Sequence, residues 1–349
     1  MQEVPLDEVR CFWPIRIGPV GRNQQSRRRA NLGSTCQNAA MAAQLTRRSL
    51  FAAAAVAAFS ASAASRKFTI AFTPGSVGIK ADQNRSIDLA HGYGYESVQP
   101  FGADLEKLSK TQIDDLAAGL KGKSLAWAAA SLPVNFREDD QTFNEGVKTL
   151  RRHAKALEQA KVTRMGTWVP PSNDELTYNQ NMRRTAKRMR EMATICEDHG
   201  MRLGLEYIGT DTLLLRGRYP FIHTMAETKE LIAETGMTNI GFVMDSWHWW
   251  TAGDSVDDIL SLTNKDIVSC DINDAPTGRT MIEQMDNQRE LPAATGVIPI
   301  KDFLDALVKV GYDGPVRAEP FNKPLNELND EEASAKTVES IKKAFALIG

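Results

Sequence analysis

The sequence predicts an α/β fold, a single (β/α)8 barrel behind an N-terminal export signal. Three observations point there. From residue 66 onward, short apolar runs alternate with longer amphipathic ones. Eight such strand–helix units fit into roughly 280 residues, the size of one closed barrel. No Gly-rich phosphate turn follows the first apolar run, which reads "AFTPGSVGIK", and this weighs against a doubly wound open sheet.

The units follow in order. The first strand is "KFTIAFT" (67–73), and the helix in "NRSIDLAHGYG" closes on glycine. "YESVQP" is the second strand, followed by a helix over about 108–120 that opens at Ser109. "SLAWAAA" (124–130) is the third, before a long helix over about 140–160 with apolar positions at helical spacing. "TRMGTW" (163–168) is the fourth, and a basic helix over about 175–199 ends at His199-Gly200. "RLGLE" (202–206), "IGFVMD" (240–245), "DIVSCD" (266–271) and "GPVRAE" (314–319) supply the rest, with a final helix over about 332–347.

Ahead of the barrel stands "LTRRSLFAAAAVAAFSASAAS". Twin arginines (Arg47, Arg48), an apolar run too short to span a bilayer and Ala61-Ser62-Ala63 follow in the order of an export signal. The Arg-Arg-x-Leu-Phe form resembles the twin-arginine type. Met41 lies six residues before the arginine pair, so 1–40 is expected to be an upstream extension not native to the protein. Residues 41–65 are then the signal peptide and 66–349 the barrel. The expected location is the periplasm or beyond, with no stable membrane association.

Composition adds exclusions. A net charge of −2 with 25% charged residues weighs against a nucleic-acid partner. Beyond the signal only Cys196 and Cys270 remain, without metal spacing, and no disulfide is expected. Oligomeric state is not legible, and a homo-oligomer stays open.

The late strands share a peculiarity: they end at Glu206, Asp245, Asp271 and Glu319. In a parallel barrel these ends lie on one face, where four unpaired acids would repel and lose solvation. No lysine or arginine is evident at matching strand ends, so a divalent metal is the economical counter-charge. An all-oxygen shell prefers Mn²⁺ or Mg²⁺, with Co²⁺ or Zn²⁺ as alternatives.

The motifs "GLEYIG", "GFVMDSWHWWTAGDS", "INDAP", "RELPAATGVIPI" and "GYDGPVRAEPF" resemble, in order and spacing, the sugar phosphate isomerase/epimerase family of xylose isomerase-like TIM barrels. The resemblance covers about 67–348. It implies metal-ligand roles for Glu206, Asp245 and Glu319 and a substrate contact for His248. The family's fourth ligand is usually a histidine; here Asp271 stands in its place, with Asp274 three residues on. Asp271 is therefore expected as a direct or water-mediated ligand.

The reaction that the resemblance implies removes a proton beside a carbonyl and returns it through a cis-enediolate stabilised by the metal. Glu206 and Glu319 are the expected catalytic pair, and the substrate a sugar or keto-sugar. A dehydratase or lyase in the same site is the alternative reaction, and a non-catalytic sugar-binding protein the alternative class. A nuclease of the same fold is disfavoured, because it needs several histidines and a basic groove. Arg279 and Arg289, in the loop after the seventh strand, are candidate substrate clamps, and Trp168 a candidate sugar-stacking residue. "RGRYPFIH" (216–223) reads as either a lid or a packed loop.

Overall fold

The structure, a computed structural model, describes residues 66–348. The expected extension (1–40) and signal (41–65) lie outside the described residues. The strands are β1 (Thr69–Phe72), β2 (Ser97–Val98), β3 (Ala126–Trp127), β4 (Ala130–Ser131), β5 (Arg164–Val169), β6 (Ser172–Asn173), β7 (Arg202–Tyr207), β8 (Tyr219–Pro220), β9 (Ile240–Asp245), β10 (Ile267–Ile272) and β11 (Pro315–Ala318). Nine of them form one sheet in the order β3-β2-β1-β11-β10-β9-β7-β5-β4, and every pairing in it is parallel. Its two ends, β3 and β4, are consecutive in the chain and separated only by Ala128 and Ala129. One interrupted strand thus pairs with β2 on one side and β5 on the other, and the sheet closes into the TIM barrel expected from the sequence.

The strands that carry the acids are the most apolar. Both β9 and β10 are buried along their full length, as expected of parallel strands covered on both faces. The helices close over them by ordinary rules. Asp139 caps the helix Asp140–Gln159, whose Phe143, Val147, Leu150, Ala154 and Leu157 are buried at helical spacing. Ser109 and Gln112 form a capping box on Lys110–Gly122. Cys196 and Cys270 are free, buried thiols. No helix among the described residues is long and apolar enough to cross a membrane.

Two strands depart from the sequence reading: the second shrinks to two residues, and the third is split, its Ala-rich segment offering little side-chain surface to hold a ladder. Of the two readings of segment 216–223, the packed loop is the one observed: Tyr219–Pro220 pairs antiparallel with Ser172–Asn173 and ties the loop after β7 to that after β5.

Two local devices fix the loops around the strand ends. At Gly209 an added Cβ would lie 2.3 Å from the His248 carbonyl oxygen, so only glycine lets the loop after β7 pack on the next helix, Ser246–Thr251. Asp274, fully buried, accepts from the backbone N–H groups of Ala275 (2.9 Å), Thr295 (2.8 Å), Gly296 (2.7 Å) and Ile298 (3.0 Å). A backbone bridge between Asp274 and Glu290 completes the anchor. One carboxylate thereby folds the long segment after β10 back over the barrel mouth. We predict that Asp274→Ala costs about 2–4 kcal/mol in urea unfolding. It also speeds tryptic cleavage at Arg279; unchanged melting and cleavage would assign the loop's order to other contacts.

Candidate active site

Parallel pairing brings the strand-end acids together at one mouth of the barrel. Across the ladder Asp271 stands opposite Asp245 of β9 on one side and Arg317 of β11 on the other. Glu206, next to last in β7, and Glu319, just past β11, complete the ring. Ligand atoms of Glu206, Asp245, Asp271 and Glu319 lie within 4.8 Å of one another, as do those of Glu206, Asp245 and His248.

The charge of this ring is partly balanced from within. Arg317 binds both oxygens of Asp271, Nε at 2.6 Å and Nη2 at 2.7 Å, and its Nη2 also donates to Glu319 Oε1 at 3.0 Å. It lies two residues before Glu319 on the same strand face, so an arginine does stand beside a strand end; the sequence reading passed over it. Arg289 enters from the loop that Asp274 anchors. Its Nη1 donates to Asp245 Oδ2 at 2.7 Å and lies 3.7 Å from Glu319 Oε2, while Nη2 donates to Asp286 Oδ1 at 2.7 Å. Burial works against the Arg289 charge, yet Asp245, Asp286 and Glu319 outweigh it and hold the guanidinium firmly protonated.

The acids keep a surplus of negative charge. Burial, with Glu319, Asp271 and Asp245 nearby, pushes the Glu206 carboxyl well above its ordinary value. Its Oε1 is buried without a hydrogen-bond partner among the described residues. Burial likewise lifts Glu319 to about 7 and Asp245 to about 6, against the pull of Arg317 and Arg289. Asp245 Oδ1 is fixed by the Trp247 N–H (2.8 Å) and Asn273 Nδ2 (3.0 Å), and Asn273 Oδ1 accepts from the Glu319 N–H (3.0 Å). Asn273 therefore registers two acids at once, a role with no motif to announce it.

His248 is buried, with Gly209 N–H 3.3 Å from Nδ1 and Arg289 Nη2 3.1 Å from Nε2. Two donors facing one imidazole disfavour the imidazolium; burial first and Arg289 second lower its pKa to about 3. The ring is neutral at ordinary pH.

Two cavities meet at this ring. One, of ≈ 300 Å³, runs into the barrel between the small residues Ala71, Ala130 and Gly166 and is lined by Thr73, Gln99 and Arg317. The other, of ≈ 470 Å³, opens outward past His248 and Arg289. Trp168, Glu206 and Glu319 line both. Arg137 stacks on Trp168, its guanidinium carbon 3.8 Å from the ring centroid, and fixes the indole at the boundary. Arg279 stands apart: it is exposed, donates to Gln288 Oε1 at 2.8 Å, and lines neither cavity. The structure thus gathers Glu206, Asp245, Asp271, Glu319, His248, Arg289 and Trp168 at one mouth. It adds Arg317, Asn273, Asp286 and Arg137, which sequence reasoning missed.

The barrel recurs in known proteins. An inosose isomerase of Halalkalibacterium halodurans is 26% identical over 269 residues, covering 74% of this chain and 90% of its own. A xylose isomerase domain protein from Alicyclobacillus acidocaldarius superposes with a TM-score of 0.70 at 29% identity, over 80% of this chain and 99% of that one. The IOLI protein, crystallised with a zinc atom, gives 0.66 at 19% identity, over 80% and 98%, and speaks for the fold alone. Residues 87–344 match the family described as "Xylose isomerase-like TIM barrel", and the chain belongs to that family.

Proposed function

We propose that this protein is an isomerase or epimerase of a carbohydrate, moving a proton at a carbon beside a carbonyl with Glu206 and Glu319 as the acid–base pair. The observation that carries the reading is the pair itself. Two carboxyls, Glu206 buried and Glu319 largely so, line both cavities at the point where these meet, and the proton affinity of each is raised, that of Glu319 to a pKa of about 7. A carboxyl poised near the working pH can both take and return a proton, and Glu206 Oε1, with no partner of its own, is free to do so. Neutral His248 and charged Arg289 line the outer cavity, where they can orient a substrate hydroxyl or carbonyl oxygen. The similarity to an inosose isomerase supports this class of chemistry.

The ring also suits a divalent metal. Its atoms are close enough to share one cation, one buried oxygen is unpartnered, and the surplus negative charge calls for more positive charge than two guanidiniums supply. Glu206, Asp245 and Glu319 are the residues we expect to hold it. Asp271 belongs to the same ring, and its two-point ion pair with Arg317 suits it to balancing charge rather than to direct ligation. A bound divalent cation would stabilise negative charge developing on the substrate's oxygens. The zinc of the IOLI protein makes a metal a natural occupant, and its identity here is a matter for measurement.

Three outcomes test this reading. In D₂O a keto-sugar substrate should incorporate deuterium at the exchanging carbon by NMR, and Glu206→Gln or Glu319→Gln should each slow turnover by about 10²–10⁴-fold. Failure of every sugar tried to exchange, with the protein folded and metal-loaded, would remove the enzyme reading in favour of a sugar binder.

Removing Glu206 should also change stability. A carboxyl whose folded-state pKa lies above its unfolded value contributes most below the unfolded value and loses that contribution as pH rises through the folded one. For Glu206 the folded value lies well above the ordinary 4.5. Chelator-treated Glu206→Gln should therefore melt roughly 2–4 °C higher than wild type at pH 8, with the difference shrinking toward pH 4.5. Equal melting at both pH values would deny the crowding of charge.

The third outcome concerns Asp271. Arg317→Met should tighten Mn²⁺ binding by about tenfold and Asp271→Asn should weaken it, because it strands a buried guanidinium. The double variant should return near wild type. A double variant as weak as Asp271→Asn alone would make Asp271 a direct ligand after all.

A further inference from the structure

The two cavities that meet at the acid pair differ in character. The inner one is walled by hydroxyls, amides and guanidiniums: Thr73, Gln99, Ser131 and Arg317 among them. Its size and polarity suit a single polyol ring. The outer one, beyond Glu206 and Glu319, joins the polar His248, Asp286, Arg289 and Arg216 to an apolar lining of Trp168, Pro170, Pro171, Ile208, Leu213 and Phe321. A carbohydrate hydroxyl placed against that apolar lining would lose water and meet hydrocarbon.

The rim around it is apolar as well. Large hydrophobic side chains more than a third exposed number eight among the described residues, and six of them sit at or beyond the strands' carboxyl ends. These are Trp168 (46%) near the end of β5, and Leu215, Met281, Ile282, Met285 and Phe321 on the loops after β7, β10 and β11. The loops hold one another in place: the antiparallel pair of β6 and β8 joins those after β5 and β7, and Thr212 Oγ1 donates to the Gln284 carbonyl at 3.1 Å. Exposed apolar surface gathered this way marks a binding surface more often than chance.

What fills it follows from continuity. The apolar cavity shares Trp168, Glu206 and Glu319 with the polar one, so a molecule seated at the acid pair can extend into it. At ≈ 470 Å³ and concave, it has the dimensions of a small-molecule site rather than a protein-docking face. We propose that the outer cavity is a subsite for an apolar substituent on the substrate, so that the substrate is a carbohydrate bearing an alkyl or aryl group, as in a glycoside, rather than a free sugar. The polyol ring lies inward against Gln99 and Arg317, the apolar group outward against Leu213, Phe321 and the uncovered side of Trp168, and the reacting carbon between Glu206 and Glu319. This assignment rests on the proton-transfer reading above only for the last of these positions.

The test is a binding comparison on the full protein, loaded with Mn²⁺ and followed by calorimetry, with methyl and phenyl β-glucosides and the matching β-galactosides. For at least one sugar the phenyl compound should bind about tenfold tighter than the methyl, the effect of burying one ring. In Phe321→Ser and Leu213→Ser, checked for folding by thermal melting, the ratio should collapse toward one. A ratio near one in wild type, a ratio unchanged in both variants, or no saturable binding of any phenyl glycoside would overturn the subsite. So would a dimer, seen by light scattering, that Phe321→Ser dissociates, for the rim would then belong to a second copy. The two readings fail separately. A phenyl preference without deuterium exchange leaves the subsite and removes the isomerase; exchange on free sugars with no preference does the reverse.

Discussion

The site depends on two guanidiniums set among acids, Arg289 buried and Arg317 partly so. Four strand ends converge because a parallel barrel leaves them nowhere else to go, and four carboxylates so placed could not stay folded on their own. Arg289 and Arg317 make the convergence tolerable, each bridging two or more acids within 2.6–3.7 Å. They do not complete the balance. Burial first, and the remaining imbalance of charge with it, raise the proton affinity of Glu206, Glu319 and Asp245, which is the property a proton-transfer pair needs and also the property that attracts a cation. Structure and chemistry draw here on the same deficit of positive charge.

Much of this was legible in the sequence, and the parts that were not share a cause. The strands "IGFVMD" and "DIVSCD" were readable because both faces are buried, which leaves an unbroken apolar run ended by a single acid. The observed bounds, Ile240–Asp245 and Ile267–Ile272, fall within a residue of those expected. The gathering of acids at one mouth followed from strand direction alone. Arg317 was missed although it sits two residues before Glu319, where strand alternation places it on the same face. What makes it matter is its position opposite Asp271, and inter-strand register is set by tertiary packing rather than by either segment. Asn273 and Asp286 act through the same long-range geometry.

The loops were the least legible. Their apolar residues carry no period, so nothing in the sequence singles out Leu215, Ile282 and Phe321, which the fold leaves exposed on loops beyond the strands' carboxyl ends. Arg279 and Arg289 illustrate the point in opposite directions. Both lie in the segment after β10 and looked equivalent. Only Arg289 falls near Asp274's anchor, where the bridge to Glu290 turns it inward. Arg279, nearer the free part of the loop, remains at the surface.

The pairing of Asp271 with Arg317 also constrains how such a chain can change over generations. A histidine at 271 would leave Arg317 with Glu319 as its near acid; a small residue at 317 would leave Asp271 buried without its cation. Losing Arg317 first strands a fully buried carboxylate, a cost on the order of 3–5 kcal/mol and a large share of a typical domain's stability, whereas losing Asp271 first leaves Arg317 its contact with Glu319. Position 271 is therefore the freer of the two to change first, and position 317 can follow at little cost only once the aspartate is gone.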